Sequence, residues 1–329
     1  MAYTGYTKRT MLAWAAGSTT YPQAEKAYSV LDLELQVRVA DSYPNGQYMG
    51  QNSPYFDVVG GVTTRLQFTS EFRGSDSGGL PPPEGRLMRA CGFNEDESGT
   101  IPAIQYTYTL SNDVGSLTHE SEGGDIAPVD LNRVIDFSRQ KASGCVGNVV
   151  FTWGAASIPT MSFSFIGQKG PSGTIAMPTY YPGRAPFPVK DYGLTMQIDG
   201  GGTITSLISS LISYDVGNNL VHRPCMDGDQ GYSRPTITDR DPVIIMVVEA
   251  PNPAIVDFES LYLNQNDLDF VFWPNRGGLA GEPAKVGFTA RIAQYPVVQS
   301  QNGKAVYTLH MRQSVASGAT AFYVQWLVL

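Results

Sequence analysis

The sequence predicts a mainly β protein in which one strand–loop–strand–helix–hairpin plan is laid down twice. Three observations carry this. The 329 residues include 35 Gly, 22 Pro and 18 Tyr, with only 16% charged side chains, whereas helix-rich chains carry more Glu, Lys, Ala and Leu. Apolar and polar residues alternate with a period of two in several short runs. The order and spacing of those runs in residues 31–170 return in residues 191–329, and an internal period is the first organisation to test for. A hydrophobic content of 42% is enough for real cores.

Residues 1–30 read as a polar N-terminal arm with scattered aromatics (Tyr3, Tyr6, Trp14, Tyr21, Tyr28). Leu31–Val39 alternates strictly, so it buries one face and wets the other, with Asp32, Glu34, Gln36 and Arg38 on the wet side. The long loop 41–57 turns at Pro44-Asn45-Gly46 and holds Tyr43, Tyr48, Tyr55 and Phe56. Aromatics in such a loop suit a contact with a neighbouring ring or subunit, or a loop folded over its own domain. Val62–Phe72 is a strand with Glu71 near its end. Pro81-Pro82-Pro83 then stops the chain, Glu84–Cys91 forms a short helix, and Gly92 caps it.

Glu95-Asp96-Glu97 and His119–Asp125 read as solvated loops, and Ile104–Leu110 and Leu131–Phe137 as strands. Val149–Trp153 and Thr160–Ile166 form a hairpin that closes a first unit, 31–170. Five prolines make 171–190 a semi-rigid linker. The second unit, 191–329, repeats the plan. Leu207–Val216 leads into a polar loop, Gly217–Thr236, and then Pro242–Glu249. Asn252 caps a helix with Pro253 in its first position, and Ile255, Phe258 and Leu261 or Tyr262 share a face. Val286–Ile292 and Lys304–Met311 follow, with Asn302-Gly303 as a tight turn before the latter, and Ala321–Leu329 is a last strand. The repeat is unequal, because the first half inserts residues around 95–145.

Net charge is −8, spread over both halves, with no Lys/Arg run. A protein that grips phosphates needs a basic stripe, so this surface repels DNA rather than holding it. Cys91, Cys145 and Cys225 are odd in number and form no CxxC, so they suggest neither a disulfide framework nor a zinc site and fit a reducing compartment. The apolar run Met11–Ala16 is too short for a secretory signal, and nothing approaches the roughly 18 apolar residues of a membrane span.

Chemistry is looked for and not met. There is no GxSxG, GxxxxGK[ST], HExxH or strand-following GxGxxG. Asp227-Gly228-Asp229-Gln230-Gly231 opens like a calcium loop, but its twelfth position is Thr238 instead of a bidentate Glu. His119, His222 and His310 have no ligands at helical spacing. Glu120/Glu122 and Asp239/Asp241 are the local carboxylate pairs that a glycosidase would need, and they also read as solvated acids. The expectation is a building block and not an enzyme, without cofactor, metal or catalytic residue.

The stretch Ala142-Ser143-Gly144-Cys145-Val146-Gly147-Asn148-Val149-Val150-Phe151, followed by Pro159 and Ser162-Phe163-Ser164-Phe165-Ile166-Gly167, resembles the major tail tube proteins of long-tailed, siphophage-type bacteriophages. Phe72-Arg73-Gly74-Ser75 and Gly85–Phe93 upstream support the resemblance. Ser213–Asn218, Thr238-Asp239-Arg240 and Val248-Glu249-Ala250-Pro251 support it downstream. The resemblance implies tandem β-sandwich or barrel domains, each with a short flanking helix, whose inner sheets join around a ring. Rings stack into a hollow conduit for DNA ejection, and the DNA passes without specific binding. Partners would be other copies of the chain, the tape measure protein and neighbouring tail proteins, in a virion tail assembled in the host cytoplasm. Six domains from three chains would give a homotrimer with pseudo-sixfold symmetry, and without the duplication the resemblance implies a hexamer instead. Glu34, Glu71 and Glu249 are candidates for an acidic lumen, or ordinary solvated strand carboxylates. Other tail components, such as a tail terminator or distal tail protein, and a carbohydrate-binding β-sandwich are the alternatives.

Overall fold

The computed structural model describes residues 10–15, 27–28, 30–39, 42–43, 58–59, 61–72, 81–82, 84–100, 103–110, 126–135, 138–174, 193–198, 204–226, 230–273, 283–314 and 322–328. The protein is mainly β, as expected. The first half runs β1 (Thr10–Ala15), β2 (Ala27–Tyr28), β3 (Leu31–Val39), β4 (Ser42–Tyr43), β5 (Val58–Val59), β6 (Val62–Glu71), α1 (Gly85–Arg89), β7 (Phe93–Thr100), β8 (Ala103–Leu110), β9 (Val129–Ile135), β10 (Ser138–Gly154), β11 (Thr160–Lys169) and β12 (Gly173–Thr174). The second runs β13 (Gly193–Ile198), β14 (Thr205–Leu207), β15 (Ser209–Asp215), β16 (Asn218–Val221), β17 (Thr236–Arg240), β18 (Val243–Glu249), α2 (Phe258–Asn264), β19 (Leu268–Trp273), β20 (Pro283–Ile292), β21 (Val298–Gln301), β22 (Lys304–Gln313) and β23 (Phe322–Val328).

Strand pairing makes the internal plan explicit. In the first half the antiparallel ladder runs β2-β1-β9-β10-β11-β6-β3. In the second it runs β14-β13-β19-β20-β22-β18-β15. The two orders correspond strand for strand. Each half also carries a two-stranded ladder between its corresponding strands, β4–β5 before β6 and β16–β17 before β18. A short helix follows, α1 after β6 and α2 after β18. The β7–β8 hairpin is the insertion that the first half's extra length called for.

One strand pairing joins the ladders directly, and a second carries the second ladder on to the β7–β8 hairpin. The end of β10 pairs with β15, Val150 opposite Asp215 and Gly154 opposite Leu211. β23 bridges β20 and β8. Followed strand by strand among the described residues, this path branches but never returns on itself, so it is not a closed barrel.

One hydrophobic core spans both halves. Alternation decides which residues enter it: Leu66 and Phe68 on β6, Phe163 and Phe165 on β11, and Ile244, Met246 and Val248 on β18 are all buried. Aromatic contacts cross the halves. Phe72 stacks on Trp326 at 5.2 Å, Phe151 meets Phe322 at 5.3 Å, and Trp153 packs edge-on to Phe272 at 5.9 Å. The segment 171–190 therefore does not divide two separate cores. Most of it lies outside the described residues, as do most of the 1–30 segment and loop 41–57. Within 1–30, however, Thr10–Ala15 pairs residue for residue with β9 from Ile135 to Asp130, so that piece belongs to the first ladder and not to a free arm.

Two local readings are corrected. Helix α2 is capped by Asp257, whose carboxylate accepts from the Glu259 and Ser260 backbone N–H groups. Asn252 instead closes a separate turn, its carbonyl accepting from Ile255 and Val256 N–H. Ile255 is consequently exposed, while Phe258 and Leu261 face the core. Glu95-Asp96-Glu97 is strand rather than loop, and the Glu95 carboxylate accepts from the Tyr108 hydroxyl at 2.7 Å. Long polar side chains hid that strand because only Phe93 within it is a bulky apolar residue.

Candidate assembly surfaces

The loop between β15 and β18 begins at a turn that only glycine accommodates. Gly217 has φ +67°, and a Cβ there would lie 2.1 Å from the Asp241 carbonyl oxygen. Its N–H is held by the Asp215 carboxylate at 2.9 Å, and its carbonyl accepts from Asp241 N–H at 3.1 Å. The next residue, Asn218, is the centre of a polar node. Its Nδ2 donates to the carbonyls of Cys91 (2.8 Å) and Gly147 (2.9 Å), and its backbone N–H donates to Asn148 Oδ1 (3.0 Å). Asn148 Nδ2 in turn donates to Asp215 at 2.8 Å. Arg240 Nε donates to Asn218 Oδ1 at 2.7 Å. Burial lowers the Arg240 pKa to about 10, as expected for a cation taken out of water. The node ties the end of α1, the middle of β10 and the β16–β17 hairpin together, joining first half to second.

Further out, the same loop lies down on the first ladder. Gln168 Nε2 donates to the Tyr232 carbonyl at 3.1 Å, Lys169 N–H to Gln230 Oε1 at 2.8 Å, and Val62 N–H to the Gln230 carbonyl at 3.2 Å. His222 packs edge-on to Tyr232 beneath it, and burial lowers its pKa. In the second half, then, the loop between corresponding strands is fastened to the sheet of the first half. The corresponding loop of the first half contains the aromatic candidates. Of these, Tyr43 lies in β4, paired with Val58, and its side chain is outside the described residues, as are Tyr48, Tyr55 and Phe56 altogether.

β3 and β15 are corresponding strands with different surroundings. β15 has β18 on one side and β10 on the other. Among the described residues β3 pairs with β6 alone. Leu31 and Val37 on β3 are exposed, at 48% and 44%. An unpaired edge of this kind is a template for a further strand.

The acidic candidates share one surface. Cross-strand register places Glu34 opposite Gln67, Glu71 opposite Thr160, and Asp215 opposite Val243 and Val150. Glu34, Glu71 and Glu249 therefore lie on the face turned away from the core. Hydroxyls and amides separate them: Thr69 and Ser162 are bonded at 3.1 Å, and Gln67 and Ser164 stand 3.5 Å apart. Glu34 accepts from Gln36, and Glu249 is paired with Lys304. Glu71 is four residues from the partner of Glu34, about 13 Å along the strand, and Glu249 lies several strand spacings away, about 20 Å. These separations exceed the roughly 5–9.5 Å of a glycosidase carboxylate pair. Asp241 is exposed and 3.3 Å from Arg312, and Glu120 and Glu122 lie outside the described residues.

Cys91 and Cys145 are buried free thiols whose pKa values burial pushes up, so neither is an activated nucleophile. Among the described residues no cluster of His, Cys, Asp and Glu could hold a metal ion, and no helix is long and apolar enough to cross a membrane. No protein-family model and no curated protein matches the chain.

Sequence reasoning singled out the segments around Asn148, Asn218 and Arg240 without seeing that they meet. The signal was present: Asp215-Val216-Gly217-Asn218 reads as an Asp–Gly turn leaving a strand. Its partners stand 22 to 127 residues away, as with Arg240 and Cys91, and spacing carries no information at that range.

Proposed function

We infer that the chain is a structural subunit of a phage-type tail tube, with two tandem sandwich-like domains per chain that repeat around a ring. The observation that carries this reading is the shared seven-strand order of the two halves, together with the β10–β15 seam. At that seam a strand of one unit is added to the edge of a strand from the other. A ring needs the same step repeated, and β3, the counterpart of β15, has its outer edge open to receive a strand from the next copy. Three chains supply six units, so the ring is a homotrimer with pseudo-sixfold symmetry.

The hydroxyl- and amide-rich face carrying Glu34, Glu71 and Glu249 suits a conduit wall. Dispersed carboxylates and few cations repel phosphate, so DNA slides without being held. The fastening of loop 217–236 onto the other unit supports a matching role for loop 41–57 on a neighbouring copy, through Tyr43, Tyr48, Tyr55 and Phe56. Other tail proteins, including the tape measure protein, are the remaining partners, and the virion tail is the location. The test is negative-stain microscopy of the purified chain at rising concentration. Hollow stacked rings support the reading, and a chain that stays monomeric throughout overturns it. Copy number in the particle separates a tube protein from a tail terminator or distal tail protein, since tube subunits are among the most abundant.

A further inference from the structure

The β16–β17 hairpin does not lie flat on the first ladder. Between them is a cavity of about 480 Å³, within the roughly 300–1,000 Å³ of small-molecule sites. Its floor is β6 and β11, one wall is Asn148 on β10, and the roof is Asn218 and Leu220 on β16. The two asparagines are committed to the polar node described above, so that wall is fixed.

Arg65 lines this cavity from β6. Its Nε is buried and has no hydrogen-bond partner. Among the described residues Arg65 forms no ion pair, and no Asp or Glu lines the cavity. The carboxylates closest in register are otherwise engaged, Glu34 by Gln36 and Asp215 by Asn148 and Gly217. Arg65 as a whole is half-buried, its buried Nε lacks a partner, and the planar guanidinium fork matches a carboxylate. Beside it, Gln67 and Ser164 are separated by 3.5 Å and retain hydrogen-bonding capacity for a second oxygen or hydroxyl. Ile166 and Leu220 supply an apolar side.

We propose that this cavity is a carboxylate-binding site, with Arg65 holding the carboxylate and Gln67 and Ser164 reading an adjacent oxygen. The carboxylate belongs to a small free acid or to an Asp or Glu side chain of a second copy of this chain. Binding of a free acid would lie within one chain and does not depend on the tube reading, whereas a carboxylate from a second copy rests on self-association of the kind that reading proposes.

The test is isothermal titration of the dispersed full chain with succinate and citrate, with glycerol as the uncharged control. One saturable site, weakened at least tenfold by Arg65→Gln and left unchanged by substitution of the exposed Arg234→Gln, supports a free acid as ligand. Circular dichroism of Arg65→Gln confirms that the fold is retained, and Ser164→Ala, which removes only a hydroxyl, should weaken the site by a smaller factor. If no free acid binds, a tenfold rise in the concentration that Arg65→Gln needs for self-association assigns the carboxylate to a second copy. Absence of saturable binding with self-association unchanged in Arg65→Gln overturns the proposal. Equal binding by wild type and Arg65→Gln overturns it as well.

Discussion

Replacing Asn218 by Ala should loosen the joint between the two halves more than any other single polar change. The side chain gives up two hydrogen bonds to backbone carbonyls, at 2.8 and 2.9 Å, and one from the Arg240 guanidinium at 2.7 Å. Neutral bonds contribute about 1 kcal/mol each and a bond to a charged group about 1.5–3 kcal/mol, which places the loss at about 3–5 kcal/mol. Asn218 is only half-buried, and water entering the gap brings the expected value to the lower end, about 3 kcal/mol. Arg240→Met should cost less, about 1–2 kcal/mol, because it also removes a cation whose desolvation is unfavourable. Urea unfolding of the full chain, followed by tryptophan fluorescence, measures both. A double-mutant cycle should then return a coupling of about 1.5–3 kcal/mol for the charged bond. A loss below about 1 kcal/mol for Asn218→Ala, or a coupling near zero, would refute the node as the joint.

Trp326→Ala removes a ring stacked on Phe72 and edge-on to Tyr108, each at 5.2 Å, and should cost about 3–5 kcal/mol. Because the core is shared, far-UV and near-UV circular dichroism should move together, and two separated transitions would contradict a single core. Burial, opposed by the Tyr108 hydrogen bond and reinforced by Glu97, raises the Glu95 pKa above 4.5. A folded-state value above the unfolded one gives stability that is complete below the unfolded pKa and lost as pH rises through the folded one. Glu95→Gln should therefore flatten the fall in stability as pH rises above 4.5, and an unchanged curve would show that burial does not raise the Glu95 pKa. Val37→Lys, on the open edge of β3, should suppress self-association while leaving the unfolding midpoint of the dispersed chain within about 0.5 kcal/mol. Unimpaired association would remove β3 from the interface.

Much of the fold was legible because it rests on local pattern. Strict alternation marked Leu31–Val39, and the Asn302-Gly303 turn marked the approach to β22, where both residues indeed take positive φ. The repeat was visible as order and spacing, though only pairing exposed its seven-strand correspondence. Two kinds of feature escaped. Polar strands such as Phe93–Thr100 carry too few apolar residues to show a period, and their burial comes from a neighbour, Tyr108, that local sequence does not identify. Long-range partnerships also escaped: Arg240 with Gly92, Trp326 with Phe72, and Thr10–Ala15 with β9 join residues that no window of sequence contains together. Helix α2 shows the competition at short range, where Asp257 displaced Asn252 as the cap because the intervening residues form a turn of their own.

The central claim is that two like units per chain propagate into a ring. Native mass spectrometry of the assembled protein, with class-averaged images of the same sample, measures it directly. Three chains per ring with six equivalent lobes around a hollow centre are expected. Six chains per ring, or an assembly without a central channel, would contradict it.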